Sequence, residues 1–248
     1  MTGYDVVLLR HGETHGYDGD HGLTARGEEQ ARARGKALAA ELPAGVRVLM
    51  PRARTARATA TAALVHEILV DAGIAAGEPY PDPAFDNLRF FLHGRVVDTS
   101  VAVRERLDLR GELPHWAQEY ARFDSDFREV AAAGGPITHW IRTPGLYFEP
   151  PQVAAHRVWR GIDALALPAG EVAVVATHSA PMRAFAVTCF GDDEAGEPEN
   201  LEPIRVTARA DGTRTVRFRD RALTLDATPP LPPWFDRTWL DGYGRGQA

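Results

Sequence analysis

Short apolar runs alternate with longer amphipathic stretches along the first third of the chain. Residues 6–9 read Val-Val-Leu-Leu, a run without a polar position that is typical of a strand buried on both faces. Residues 25–42 are rich in Ala, Glu, Gln and Arg and predict a helix with Thr24 as its N-cap. A short strand at 46–50 and a helix at 55–72 follow in the same order. This alternation of strand and helix predicts an α/β fold with a largely parallel sheet.

The pattern becomes irregular over residues 77–145. Helices are predicted at about 99–107 and 114–133, and the second has one aromatic face, formed by Trp116, Tyr120, Phe123 and Phe127. A segment of this length between core elements is typical of a cap over a binding site. We therefore expect a helical cap insertion at 77–145.

Regular alternation returns after the insertion. A helix is predicted at 153–167, and a second buried strand at 171–177 runs directly into His178. Pro181 is expected at the first position of the helix that follows, where proline is favoured. A hairpin is predicted within 204–218.

These elements together predict the fold class. It is a three-layer sandwich with a mostly parallel central sheet flanked by helices, plus the helical cap insertion. One domain is expected to span residues 1–248, and its last part, residues 228–248, is a tail rich in Pro, Trp and Gly.

The composition limits the classes of protein that the chain can represent. A net charge of −6 argues against a nucleic-acid partner, because such proteins carry a basic patch or stripe. The apolar runs are too short to cross a bilayer, and the start of the chain shows no secretory signal. Cys189 is the single cysteine, which excludes an internal disulfide and fits a reducing cytoplasm. We expect a cytoplasmic protein without a metal or other cofactor and without a nucleic-acid or membrane partner.

Basic and imidazole side chains follow three of the predicted strands. Arg10 and His11 end the first strand, Arg54 follows the second, and His178 ends the later buried strand. Because the carboxyl ends of parallel strands meet at one edge of a sheet, these four side chains are expected to converge. Their positive charges would repel one another, whereas a phosphate dianion would pair with the guanidinium groups. A neutral imidazole beside that phosphorus atom is a competent nucleophile.

Five motifs in a fixed order resemble those of one known family. They are Leu9-Arg10-His11-Gly12-Glu13-Thr14; the segment 20–31, similar to Asp-x-Pro-Leu-Thr-x-x-Gly-x-x-Gln-Ala; Met50-Pro51-Arg52-Ala53-Arg54-Thr55 with Thr59-Ala60 behind it, similar to Ser-Pro-Leu-x-Arg-Ala/Thr-x-x-Thr-Ala; Glu149 followed by Arg157-Val158; and the segment 176–184 around His178. Through them the chain resembles the histidine phosphatase superfamily, the phosphoglycerate mutase-like proteins. The resemblance covers about residues 4–220, apart from the cap.

The resemblance implies roles for the converging side chains. His11 would be the phosphorylated nucleophile, and the phosphoryl oxygens would be held by Arg10, Arg54 and His178. Three further residues are implied as substrate-binding groups at the edge of the site, although each equally suits a turn or a helix start: Glu13, Thr24 and Ser179.

One position departs from the family pattern. The family supplies its general acid in a segment like Leu-Arg-Glu-x-x-x-Gly, and the matching segment 88–94 has Phe90 in place of the carboxylate. Loss of a general acid costs about 10²–10⁴-fold in rate. Asp86 is the candidate replacement acid, with His93 and Asp98 as further candidates nearby. Alternatively, the substrate has a good leaving group, as in an acyl phosphate, a phosphoramidate or a pyrophosphate.

The sequence thus leaves three functions open. The first is a phosphatase that hydrolyses a small phosphorylated metabolite through a phosphohistidine on His11. The second, motivated by Phe90, is a family member that binds a phosphorylated metabolite without hydrolysing it. The third is a phosphomutase. The substrate and the oligomeric state, a homodimer included, stay open, because specificity would lie in the divergent segment 77–145.

Overall fold

The computed structural model describes residues 3–129, 135–191 and 196–230. Most of the predicted tail at 228–248 and the last residues of the helix predicted at 114–133 therefore lie outside the described residues, as does the side chain of Phe127.

The strands of the described residues are mostly short. In chain order they are β1 (Tyr4–Arg10), β2 (Arg47–Leu49), β3 (Pro51–Arg52), β4 (Ala75–Ala76), β5 (Tyr80–Pro81), β6 (Arg89–Leu92), β7 (Arg95–Asp98), β8 (Val172–Thr177), β9 (Pro203–Ala208), β10 (Arg214–Phe218) and β11 (Arg221–Leu225).

Most of the helices predicted from the sequence are present in the structure. In chain order the helices of the described residues are α1 (Ala25–Glu41), α2 (Ala56–Asp71), α3 (Thr99–Asp108), α4 (His115–Glu129), α5 (Gly135–Arg142), α6 (Pro151–Leu165) and α7 (Ser179–Phe190). Thr24 is the N-cap of α1, as predicted, and its side chain accepts a hydrogen bond from the backbone N–H of Gly27. None of the described helices is both long and apolar enough to cross a membrane.

The central sheet has the strand order β11-β10-β9-β1-β8-β2-β4, with β3 and β5 joined beside β8. The strands β1, β8, β2 and β4 are parallel to one another. Strand β9 pairs antiparallel with β1 and begins an antiparallel edge of the sheet. Strand β8 is buried at every position, as its unbroken apolar run predicts.

Helices cover both faces of this sheet. On one face Val6 and Leu8 pack with Trp159 of α6 and Phe185 of α7. On the other face the alternate residues of β1, Val7 and Leu9, pack with apolar residues of α1 and α2, among them Leu38 and Leu69. The predicted α/β class, a layered fold around a mostly parallel sheet, is confirmed.

The segment between the two regular parts forms a second apolar cluster. Its centre is Phe90, which is fully buried among aromatic rings that belong to α4 and to the residues before α6: Trp116, Tyr120, Tyr147 and Phe148. Strands β6 and β7 form a hairpin whose turn residues, His93 and Gly94, both have positive φ angles of 49° and 75°. Two successive positive φ angles are typical of the type I′ turn that closes a two-residue hairpin.

A buried ion pair joins this segment to the sheet. Arg157 of α6 donates two hydrogen bonds to the carboxylate of Glu149, at 3.0 and 2.8 Å. The same guanidinium donates to four backbone carbonyls of the preceding loop, those of Pro83, Ala84, Asp86 and Asn87. The ion pair therefore fixes the chain where it passes from the sheet edge into the insertion.

Some local expectations differ from the structure. Helix α7 begins at Ser179, so His178 is its N-cap, and Pro181 is the third helical residue instead of the first. The sequence pattern also missed β3, β4, β5, β6, β7, β11 and α5, because these elements span only two to eight residues and are too short for a periodic pattern to identify.

Candidate active site

Two histidines meet where β1 and β8 end. The two strands are parallel, with Arg10 opposite Thr177, and the backbone N–H of His11 donates to the carbonyl of Thr177 at 2.9 Å. Because the register holds the two strand ends level, the rings of His11 and His178 lie 5.1 Å apart, centroid to centroid. Both residues are only 2% exposed. The predicted meeting of these two residues at the sheet edge is thus present in the structure.

A hydrogen bond sets the tautomer of His11. Its Nδ1 lies 2.7 Å from the carbonyl oxygen of Gly12. A carbonyl oxygen can only accept, so Nδ1 carries the proton and Nε2 keeps its lone pair. His11 therefore presents an unprotonated nitrogen from a fixed ring.

The backbone around His11 is held from three sides. Asn200 donates its side-chain amide to the carbonyl of His11 at 2.7 Å, and the N–H of Gly12 donates to the hydroxyl of Thr61 at 3.0 Å. Gly12 also packs against Gly27 so closely that a Cβ atom on Gly12 would lie 2.5 Å from the carbonyl oxygen of Gly27. The glycine in the Arg-His-Gly sequence is thus required by this close approach.

Two arginines, the half-buried Arg10 and the buried Arg57, stand beside the histidines. Arg10 pairs with Glu197 at 3.0 Å and donates to the carbonyl of Pro198, while Arg57 is 2% exposed and reaches Asp20 at 3.5 Å. Within the part of the chain that the structure describes, the Nε–H groups of both arginines are buried without a hydrogen-bond partner. Buried donors left in this way are costly, and they fit a site built for an anion.

The same surroundings keep the two histidines neutral. Burial, followed by the positive charge of Arg57 and more weakly that of Arg10, lowers the pKa of His11 to about 3 against the raising effect of the hydrogen bond to Gly12. Burial, followed by the charge of Arg57, lowers the pKa of His178 well below its usual value. At neutral pH both rings are therefore uncharged, as a nucleophile requires.

The structure does not bring Arg54 to the histidines. Its guanidinium donates to the carboxylate of Asp86 at 2.9 and 2.5 Å, and its side chain is 42% exposed. Arg57, three residues further along, takes the place expected for it, because one turn of α2 carries its side chain under the ends of β1 and β8.

A signal for Arg57 was present in the sequence. The family motif Arg-Ala/Thr-x-x-Thr-Ala places a threonine four residues after its arginine. Counted from Arg57, that position is Thr61, so the motif matches. Counted from Arg54, the threonine is Thr59, one residue beyond the position that the motif requires. The hydroxyl of Thr61 also accepts the hydrogen bond from Gly12, which ties this motif to His11.

The three implied substrate-binding residues lie in different places. Ser179 lines the cavity in front of His178 and starts α7. Thr24 instead caps α1 and donates to the carboxylate of Glu13 at 2.8 Å. Glu13 also lies 3.6 Å from Arg26, and neither Glu13 nor Thr24 lines the cavity.

The candidate acids are each engaged elsewhere. Asp86 holds Arg54 and also accepts from its backbone N–H. His93 is exposed at the hairpin turn beside Glu105, and Asp98 caps α3 through Ser100. None of the three lines the cavity, and Phe90 is in the core of the insertion.

The cavity over the histidines has a volume of about 740 Å³. One end, here called the phosphate end, is formed by Arg10, His11, Arg57 and His178. The other, here called the cap end, is formed mainly by apolar side chains of the insertion: Leu88, Val103, Tyr120, Phe123 and Ile137.

Other nucleophiles and metal ligands give no second site. Over residues 3–129, 135–191 and 196–230, no group of three or more His, Cys, Asp or Glu side chains is arranged to hold a metal ion. Cys189 is buried in the core under the sheet, and burial raises the pKa of its thiol to about 12, so it stays protonated.

Fold and site together define a class of protein, an α/β protein whose sheet edge brings together two neutral histidines, the buried Arg57 and the half-buried Arg10. The family model described as histidine phosphatase superfamily (branch 1) matches residues 6–74, which contain Arg10, His11 and Arg57. The resemblance drawn from the sequence motifs is confirmed. No curated protein sequence matches the chain.

Solved structures share the fold over most of the chain. A candidate alpha-ribazole-5'-P phosphatase from Escherichia coli is 22% identical, with 92% of this chain and 99% of that chain covered and a TM-score of 0.53. A mycobacterial glucosyl-3-phosphoglycerate phosphatase is 18% identical, with coverages of 83% and 90% and a TM-score of 0.51. A phosphoglycerate mutase from Bacillus anthracis is 17% identical, with coverages of 88% and 94% and a TM-score of 0.52. At these identities the similarity concerns the fold.

Proposed function

We propose that the protein is a phosphatase that hydrolyses a small phosphorylated metabolite through a phosphohistidine on His11. The observation that carries this proposal is the tautomer of His11. Its Nδ1–H is committed to the carbonyl of Gly12, and its pKa is about 3, so Nε2 is an unprotonated nucleophile throughout the neutral range.

In the first step the lone pair of Nε2 attacks the phosphorus atom. The N–P bond forms while the bond from phosphorus to the leaving oxygen breaks, and the leaving oxygen keeps the bonding electrons. In the second step a water oxygen attacks the same phosphorus atom and the N–P bond breaks, with its electrons returning to Nε2. Inorganic phosphate leaves, and the neutral imidazole is restored. The water loses a proton in this step, and the released products take it up.

The arginines stabilise the charge that develops during both steps. Arg10 and Arg57 each have a buried Nε–H without a partner in the described structure, and a phosphoryl oxygen would accept from these groups. The neutral ring of His178, 5.1 Å from His11, offers a further polar contact without adding a charge. Two of the proteins with this fold carry phosphatase names, which agrees with the proposal.

The test is the stoichiometry of the phosphoenzyme. With ³²P-labelled acetyl phosphate as the donor, we expect one acid-labile, alkali-stable label per chain after rapid quenching. His11→Asn should abolish both the label and the release of phosphate. His66→Asn, which changes a half-buried histidine of α2 outside the cavity, should keep both.

Two results would contradict the proposal. Turnover that survives in His11→Asn would place the chemistry on another group. Saturable binding of phosphate with neither label nor product, over a broad panel of phosphorylated compounds, would favour the non-hydrolytic binding protein.

A further inference from the structure

The cavity is larger than a phosphate group needs. A volume of about 740 Å³ lies within the range of about 300–1,000 Å³ that is usual for sites of drug-sized ligands. Beyond the phosphate end, most of the large lining side chains are apolar or aromatic, including Leu88, Val103 and Phe123, and polar ones such as Asn87 and Ser100 lie beside them. The space that the leaving group would occupy is therefore large and mostly apolar.

The charged groups at the cap end are paired with each other. Arg106 donates to the carboxylate of Asp124 at 2.8 Å, and its guanidinium lies over the ring of Tyr120. An arginine that is already neutralised does not require a second negative charge on the ligand. The Nε–H of Arg106 is buried without a hydrogen-bond partner among the described residues, so the cap end suits a leaving group that carries a neutral acceptor oxygen but no second negative charge.

The carboxylates that line the cavity contact basic side chains. Among the described residues these are Asp18, Asp124 and Glu197, which contact His21, Arg106 and Arg10, respectively. Each of these carboxylates has an oxygen committed to its basic partner. The hydrogen bond from the His21 ring further lowers the pKa of Asp18.

Two further polar groups of the cavity, Tyr120 and His178, are weak proton donors. Tyr120 donates its hydroxyl to the carbonyl of Thr99, and burial raises the pKa of this hydroxyl well above its usual value. His178 is neutral at physiological pH and so is a weak acid. A leaving oxygen that can depart as an anion needs no proton from these groups.

We infer that the substrate is an aryl phosphate, a phosphate ester whose leaving group is a phenolic oxygen on an uncharged aromatic ring system. This inference rests on the proposed function. His11 Nε2 would displace the phenolate, which leaves with both electrons of the P–O bond and takes a proton from water after departure. The aromatic rings would lie against the apolar wall of the cap end, where Val103 is 6% exposed on α3.

The first test varies the leaving group with the wild-type protein. We expect kcat/KM to fall steeply with the pKa of the leaving alcohol across a series of substituted phenyl phosphates. Primary alkyl phosphates of similar size should be slower than 4-nitrophenyl phosphate by at least the 10²–10⁴-fold that a general acid usually contributes. Equal rates for the alkyl and phenyl esters, or a flat dependence on leaving-group pKa, would overturn the inference.

The second test changes the apolar wall. Val103→Asn should raise KM for 1-naphthyl phosphate about tenfold while its effect on acetyl phosphate, which does not reach the wall, stays small. The ratio of kcat/KM for these two substrates is the readout, because it does not depend on the fraction of folded protein. Val101→Asn is the control, since Val101 is 37% exposed on the same helix and does not line the cavity. A ratio that changes equally in both variants would overturn the inference.

The two proposals fail in different ways. If acetyl phosphate labels His11 but aryl phosphates are not hydrolysed, the proposed function survives and the aryl specificity is wrong. If no phosphoenzyme forms with any donor, both are wrong.

Discussion

The two ends of the cavity are built by different means. At the phosphate end, His11 and His178 are set by the register of two parallel strands, and Arg57 by one turn of a helix beneath them. At the cap end, side chains from α3, α4 and α5 meet only because an aromatic cluster around Phe90 holds these helices together. The phosphate end thus follows from the strand ends, whereas the cap end depends on the packing of the whole insertion.

In the proposed function, this difference would separate the chemistry from the substrate specificity. Backbone hydrogen bonds in the sheet keep the reacting groups in place even if the insertion changes. The insertion can accept other side chains on its cavity wall without moving His11, provided that its own core stays packed. We propose that residues 77–145 form a cap within one domain and that substrate choice resides there.

The largest expected effect is on the free energy of unfolding, when the ion pair that joins the insertion to the sheet is broken. In Glu149→Ala the buried Arg157 loses its charged partner while it still holds the loop into the insertion. Removal of one partner of a buried pair costs about 3–5 kcal/mol, which urea unfolding at pH 7 measures. Glu67→Ala, which breaks the exposed pair with Arg32, should cost about 1 kcal/mol or less. Similar losses of stability in the two variants would mean that the ion pair of Glu149 and Arg157 does not hold the insertion in place.

The next effect tests which arginine belongs to the phosphate end. Arg57→Ala removes a preorganised donor, so kcat/KM with 4-nitrophenyl phosphate should fall about 10²–10³-fold. Arg54→Ala removes a half-exposed side chain that contacts Asp86, and the fall should stay below about tenfold. If Arg54→Ala proves as damaging as Arg57→Ala, the assignment of the third cationic residue is wrong.

A smaller effect appears as pH dependence of stability. The pKa of His11 is about 3 in the folded protein and near 6.5 when unfolded, so between these values the unfolded chain binds more protons. Stability should therefore decrease as pH falls from 7 toward 4, by up to about 1.4 kcal/mol per pH unit for each such histidine. Unfolding curves at pH 7, 6 and 5 should show a shallower decrease for His11→Asn. Parallel pH dependences for the two proteins would exclude a buried neutral His11.

The residues of the phosphate end could be predicted from the sequence better than those of the cap end. Arg10, His11 and His178 could be found because each follows an unbroken apolar run, and such runs predict buried strands. Arg57 was missed because the motif was matched from Arg54, although Arg57 fits it without a shift. Its position under the strands is a tertiary feature, and Arg54 matched the start of the motif.

The cap end could not be derived in the same way. The substitution at Phe90 was visible in the sequence, but its place among the rings of Trp116, Tyr120 and Phe148 depends on contacts across the insertion. The turn His93-Gly94 carries only one glycine, so the hairpin of β6 and β7 has a weak local signal.

The position of the phosphoryl group on the imidazole ring tests the central claim most directly. The protein is incubated with acetyl phosphate, denatured in alkali and digested, and the phosphohistidine isomer is identified by ³¹P NMR against both standards. Because Nδ1–H is held by the carbonyl of Gly12 at 2.7 Å, we expect the phosphoryl group on Nε2 of His11. A phosphoryl group on Nδ1, or on a histidine other than His11, would contradict the account.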